Sequence, residues 1–168
     1  YLFDKDSNTP LWNYDTGDVV NSVAISANGK YITAGSNDDK VYLFEKDSNT
    51  PLWSYTTGDN VEAVDISSDG EYIVAGSIDK KLYLFDKDNN TPIWTYTAGG
   101  EKFTVAISSD GEYIVAGTND DNVYLFDKDS NTPLWTYATG HMVETVAISS
   151  DGEYIVAGNY DDNIFFLP

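Results

Sequence analysis

Every feature of this chain is tied to a spacing of 41 residues. The segment Tyr-Leu-Phe-Asp-Lys-Asp-Ser-Asn-Thr-Pro-Leu-Trp opens it at Tyr1 to Trp12 and returns, with few changes, from Tyr42, Tyr83 and Tyr124. Pro10, Pro51, Pro92 and Pro133 keep that spacing, as do Trp12, Trp53, Trp94 and Trp135, so no residue has been inserted or lost between copies. A fixed period of this length means an array of supersecondary units that bury their core against their neighbours.

Each unit holds four short runs of β character, here a to d. Strand a runs Val20 to Ser26, with Val23 and Ile25 on one face, and its copies begin at Val61, Lys102 and Val143. Asn28-Gly29, Asp69-Gly70, Asp110-Gly111 and Asp151-Gly152 then supply hairpin turns, because these residues tolerate positive φ. Strand b is Tyr31 to Ser36. A second turn at Asn37-Asp38-Asp39 and its copies leads to strand c, Val41 to Phe44. The Asp-Lys-Asp-Ser-Asn-Thr-Pro loop precedes strand d, Leu-Trp-x-Tyr, with Pro placed ahead of the strand where it forfeits no ladder bond. No stretch has helical periodicity. The fold class is therefore all-β, a β-propeller of four-stranded antiparallel blades.

Residues 1–18 carry strands c and d, residues 19–59, 60–100 and 101–141 are complete units, and residues 142–168 carry a, b and a final c at Ile164 to Leu167. This makes seventeen strands, one more than four closed blades hold. The expectation is part of a larger seven- or eight-bladed ring, or a ring completed by self-association with a second chain, since unpaired edges are sticky.

Val-Ala-Ile-Ser-x-Asp-Gly-x-Tyr-Ile-x-Ala-Gly-Ser-x-Asp resembles the WD-repeat family, with Phe44, Phe85 and Phe126 where that family has the Trp of its Trp-Asp pair. Val-Tyr-Leu-Phe-Asp…Leu-Trp-x-Tyr-x-Thr-Gly is similar to the PQQ-like, quinoprotein-type repeat, and that resemblance implies that each Trp docks against the next blade. Both are propeller families, so the fold follows from either and the function from neither.

Composition narrows the partners. Lys plus Arg is 9, all lysine, against 28 acidic residues, a net charge of −19. With no guanidinium fork and this charge, a nucleic-acid partner is disfavoured. Anionic membrane surfaces are disfavoured for the same reason, and no apolar run reaches the ~18–20 residues of a bilayer span, so no membrane insertion is expected. There is no cysteine. Abundant Asp, Asn and Tyr without Arg fit a prokaryotic secreted or cell-surface protein.

Asp4, Asp6 and Asn8, repeated as Glu45, Asp47, Asn49, as Asp86, Asp88, Asn90 and as Asp127, Asp129, Asn131, alternate oxygen ligands as calcium loops do. The turn glycine and distant glutamate of such loops are missing, and the same residues build plain turns, which is the favoured reading. His141, the one histidine, follows Gly140 as in the Gly-His of WD repeats, and that resemblance pairs it with Asp161. Asp65 replaces the alanine of its sibling positions Ala24, Ala106 and Ala147, and near the axis it needs channel water or a hydroxyl partner. The resemblance to quinone-dependent enzymes implies a cationic side chain, a calcium cage and often a disulfide. Without Arg or Cys, and with one histidine, no catalytic residue and no cofactor are expected.

The copies differ where they are free to. The c–d loop and the a–b turn are nearly uniform, whereas the d–a and b–c connections, which share the opposite end of the blades, vary. Ile78, Phe103, His141, Met142 and Tyr160 are the apolar or aromatic choices there and are the candidate contacts with a protein partner. The function expected is a non-enzymatic binding or scaffold propeller. The alternatives are a self-assembling surface or filament component and, less favoured, a fragment of a PQQ- or calcium-dependent enzyme.

Overall fold

The computed structural model describes residues 1–167; Pro168, the last residue of the final unit, lies outside them. Strands β1 (Leu2–Phe3) and β2 (Pro10–Trp12) form an antiparallel pair. The first blade follows in chain order: β3 (Val20–Ile25), β4 (Tyr31–Ser36), β5 (Lys40–Glu45) and β6 (Trp53–Thr56). The second is β7 (Val61–Ile66), β8 (Tyr72–Ser77), β9 (Lys81–Asp86) and β10 (Trp94–Thr97). The third is β11 (Phe103–Ile107), β12 (Tyr113–Thr118), β13 (Asn122–Asp127) and β14 (Trp135–Ala138). A three-stranded fourth sheet holds β15 (Val143–Ile148), β16 (Ile155–Asn159) and β17 (Ile164–Leu167). These are consecutive antiparallel propeller blades, and no helix occurs among the described residues.

The two-residue alternation gives each blade two apolar faces. On the second blade, Val64, Ile66, Ile73, Ala75, Tyr83 and Phe85 form a leading face toward the first blade. Val74, Leu82, Leu84, Trp94 and Tyr96 form a trailing face, packed on Phe103, Ile107, Ile114, Tyr124 and Phe126 of the third. The tryptophan of strand d is the anchor. The Trp12, Trp53 and Trp94 rings lie 5.5, 5.4 and 5.4 Å from Phe44, Phe85 and Phe126 of the following blade. Their indole N–H groups donate to the Lys46, Lys87 and Lys128 carbonyls at 2.7, 2.8 and 2.7 Å, satisfying the one polar atom that such burial would strand.

The a–b turns explain their own uniformity. Ser67 Oγ donates to Asp69 Oδ1 at 2.7 Å and accepts the Tyr72 N–H, while Asp69 Oδ1 accepts the Glu71 N–H, so Ser-x-Asp-Gly closes on itself. The turns are also strung together along the array. Ala27 N–H donates to the Ser68 carbonyl, Ser68 N–H to Ser109 and Ser109 N–H to Ser150, at 3.0, 3.0 and 3.1 Å.

The structure amends four local readings. The third strand a begins at Phe103, not Lys102. In the other three copies a register shift near the start of strand a lets Asn21, Glu62 or Glu144 bulge outward, after which Ser22, Ala63 and Thr145 resume pairing. The third copy has no bulge: Phe103 pairs with Thr118, as Val61 pairs with Ser77. A lysine at the apolar position would be costly, so the strand slides by one residue and Gly99-Gly100 supplies slack in the connection. The later d strands begin at Trp, with Leu52, Ile93 and Leu134 exposed ahead of them. Pro10, by contrast, lies within β2, which tolerates it as a sheet edge. Asp65 is met by backbone instead of a hydroxyl: its Oδ2 accepts the Ile107 N–H of the next blade at 3.0 Å and its Oδ1 the Ile66 N–H at 2.9 Å. Burial still raises its pKa above the ordinary carboxylate value, against the pull of those two donors.

Candidate binding rim

The two ends of the blades do different work. At the c–d end, Asp6, Asp88 and Asp129 N–H groups donate to Asp4, Asp86 and Asp127 Oδ1 at 2.9, 2.8 and 2.8 Å, closing Asx turns with the first oxygens of the calcium-like pattern. Its third positions reach backward. Asn49, Asn90 and Asn131 Nδ2 donate to the Asn13, Ser54 and Thr95 carbonyls of the preceding strand d, at 3.5, 3.4 and 3.2 Å. Among the described residues no three His, Asp or Glu side chains gather closely enough to hold a metal ion. This rim is uniform because its loops hold neighbouring blades.

At the opposite rim each b–c turn is zipped to the d–a connection that leads into its blade. Asn37, Ile78 and Tyr160 N–H groups donate to the Val19, Asn60 and Met142 carbonyls at 2.8, 2.9 and 2.9 Å. In the second and third blades an aspartate locks the pair. Asp79 Oδ2 accepts from the Tyr83 hydroxyl and from the Gly58 N–H, the latter at 2.8 Å. Asp120 Oδ2 accepts from the Tyr124 hydroxyl at 2.7 Å and the Gly99 N–H at 2.9 Å. Burial and the aspartates that accept their hydroxyls, Asp38, Asp79 and Asp120, push the Tyr42, Tyr83 and Tyr124 phenols well above their ordinary range. Burial works against the Asp120 carboxylate too, yet bonds from Thr118, Tyr124, Asn122 and the Gly99 N–H hold its pKa below the usual value.

The fourth copy departs from this lock. Phe165 stands where the others have tyrosine, leaving Asp161 exposed, and His141 Nε2 lies 3.5 Å from Asp161 Oδ2. His141, Met142 and Tyr160 thus share one corner, with the Tyr160 side chain 73% exposed. Ile78 is half-buried at the same rim of the second blade. Phe103 is removed from the set: it is 5% exposed, seated over Gly76, where a Cβ would stand 2.3 Å from its own. Val19 takes its place. It is exposed on the first blade at the position Met142 holds on the fourth, and that shared column is the signal that could have singled it out. Around these apolar side chains Asp18, Asp59, Glu101, Asp161 and Asp162 are exposed. Such a surface suits a cationic partner with apolar anchors.

Against known sequences, the chain matches the profile of a PQQ-like repeat family described as outer membrane protein assembly factor BamB, over residues 1–104 and again over residues 62–166. No curated protein matches it.

Proposed function

The chain belongs to that PQQ-like repeat family, and from this premise we propose that it is a binding propeller, without catalysis of its own, whose variable rim holds a protein segment rich in cationic and apolar side chains. The family's description names an assembly factor, which accords with a platform that positions other proteins. The observation that carries the reading is the division of labour between the rims. The uniform c–d loops repeat one set of contacts between blades, whereas the d–a and b–c loops, which also link blades through groups such as the Thr57 hydroxyl on the Asp39 and Asp59 carbonyls, change side chain from copy to copy and place Tyr160, Met142, Ile78 and Val19 among carboxylates. Variable loops on a rigid scaffold are where recognition is carried.

A photo-crosslinking side chain at Tyr160, introduced in the native host, is expected to capture a partner that the same group at the exposed Thr50 of the uniform rim does not. Capture should fall as salt rises, because opposite charges steer the encounter. Equal capture from both rims, or capture indifferent to salt, would overturn the assignment.

A further inference from the structure

Of the chain's asparagines, Asn28 alone precedes a glycine. It stands in the a–b turn of the first blade, where the other copies carry Asp69, Asp110 and Asp151. Lys30 likewise stands where they carry Glu71, Glu112 and Glu153. Asn28 Oδ1 accepts the Ser26 hydroxyl at 2.8 Å and the Lys30 N–H at 2.8 Å, the pattern that Asp69 Oδ1 makes with Ser67 and Glu71 at 2.7 and 3.0 Å. The Asn28 amide nitrogen donates to no group among the described residues. Asn28 is exposed, and Asp69 is exposed even with Tyr31 seated over the adjacent Gly70, so the site is open whichever residues precede Tyr1.

These contacts aim chemistry at Asn28 Cγ. The donors on Oδ1 stand where negative charge develops when a nucleophile adds to that carbon, as the donors of an oxyanion hole do. The nucleophile in reach is the Gly29 backbone nitrogen, next in the chain and without a Cβ to crowd the ring it closes. The Gly29 N–H donates to the Ser26 carbonyl at 2.8 Å, so a local opening of the turn has to release it first. A lysine in place of glutamate makes this turn less negative than its siblings, which favours both the anionic nitrogen and the oxyanion.

We propose that Asn28 is a self-processing site, at which the turn converts its own asparagine into the aspartate of its siblings. A solvent base takes the Gly29 amide proton, the nitrogen bonds to Cγ, and Nδ2 leaves with a proton as ammonia, which closes a succinimide ring. Water then adds to a ring carbonyl. The Ser26 and Lys30 donors still hold the former side-chain oxygen, so they direct the water to Cγ. The Cγ–N bond breaks, Gly29 regains its proton, and the product is an aspartate with the peptide bond where it was. Addition at the main-chain carbonyl would leave isoaspartate instead, whose extra backbone carbon does not fit the turn. The aspartate keeps both hydrogen bonds, now charge-assisted.

Incubation of the folded 168-residue chain at mildly alkaline pH is expected to yield a more acidic form on ion exchange, faster as pH rises, which peptide mapping places at Asn28 as aspartate. The same chain held in urea, where the donors are dispersed, is expected to give mainly isoaspartate, the usual product of an unrestrained succinimide. Lys30→Glu should slow the native reaction by roughly two- to fivefold, the worth of an exposed charge interaction. Asn28→Asp should fold as its sibling turns do, elute with the processed form and yield no further acidic form from this turn. An Asn28 that survives intact in the folded chain overturns the proposal, and so does an acidic form that maps to another asparagine. An isoaspartate-rich product from the folded chain, matching that from urea, overturns it as well, because the turn would then direct nothing.

Discussion

Gly111 answers to two constraints at once. Its φ of 77° lies in the left-handed region, and a Cβ there would meet the Tyr72 ring at 2.5 Å. Gly29 has the same turn geometry, φ 69°, with open space around it. The pair separates backbone strain from close approach. Gly29→Ala should cost about 1–2 kcal/mol for the left-handed conformation alone. Gly111→Ala should cost a further ~1–3 kcal/mol for overpacking against the tyrosine. Urea melts of the two variants decide it, and equal losses would remove the tyrosine contact from the account. The turn itself was legible from Asp-Gly, since positive φ is a local demand. That Tyr72 closes over the glycine was not, because the two residues belong to different blades. The asparagines of the c–d loop were misleading for a related reason: Asp-x-Asp-x-Asn suits a calcium loop, an Asx turn and a staple to the preceding blade alike, and only neighbouring carbonyls such as Thr95 O distinguish them.

Strand d is the element on which each interface closes. Trp94 is buried against Phe126 and bonded to the Lys128 carbonyl at 2.7 Å, so Trp94→Ala opens a cavity and leaves that carbonyl without its donor. The loss expected is about 3–5 kcal/mol, read as a lower urea midpoint. An unchanged midpoint would refute the docking role. Strand existence and order could be read from alternation and turn chemistry, and the final strand spans Ile164–Leu167 as its repeat partner predicts. Strand a of the third blade shows where that reading stops. Strict repeat spacing set Lys102 beside Val61, whereas the sheet takes Phe103 and drops the bulge. Register depends on which side chain the neighbouring blade accepts, and a one-residue slip exchanges the faces.

For the molecule as a whole, charge opposes compactness. A net charge of −19 on 168 residues repels itself more strongly when folded than when extended. Several of the ion pairs that salt would also weaken join chain neighbours, such as Lys46–Asp47, Lys87–Asp88 and Lys128–Asp129, and so persist after unfolding. Screening should therefore stabilise on balance. Raising salt from low to physiological strength, which shortens the Debye length from ~30 to ~8 Å, is expected to raise the thermal midpoint by on the order of a few degrees. Calorimetry at a concentration where particle mass is constant checks it, and a falling midpoint would mean that ion pairs outweigh repulsion. The forward-pointing tryptophans also fix a schedule on the ribosome. Trp12 finds its carbonyl at Lys46, Trp53 at Lys87 and Trp94 at Lys128, so no blade can seal its last strand until most of the following repeat has left the exit tunnel. The folding front trails synthesis by nearly one unit throughout, and the nascent chain always carries one uncovered indole that a chaperone can grip.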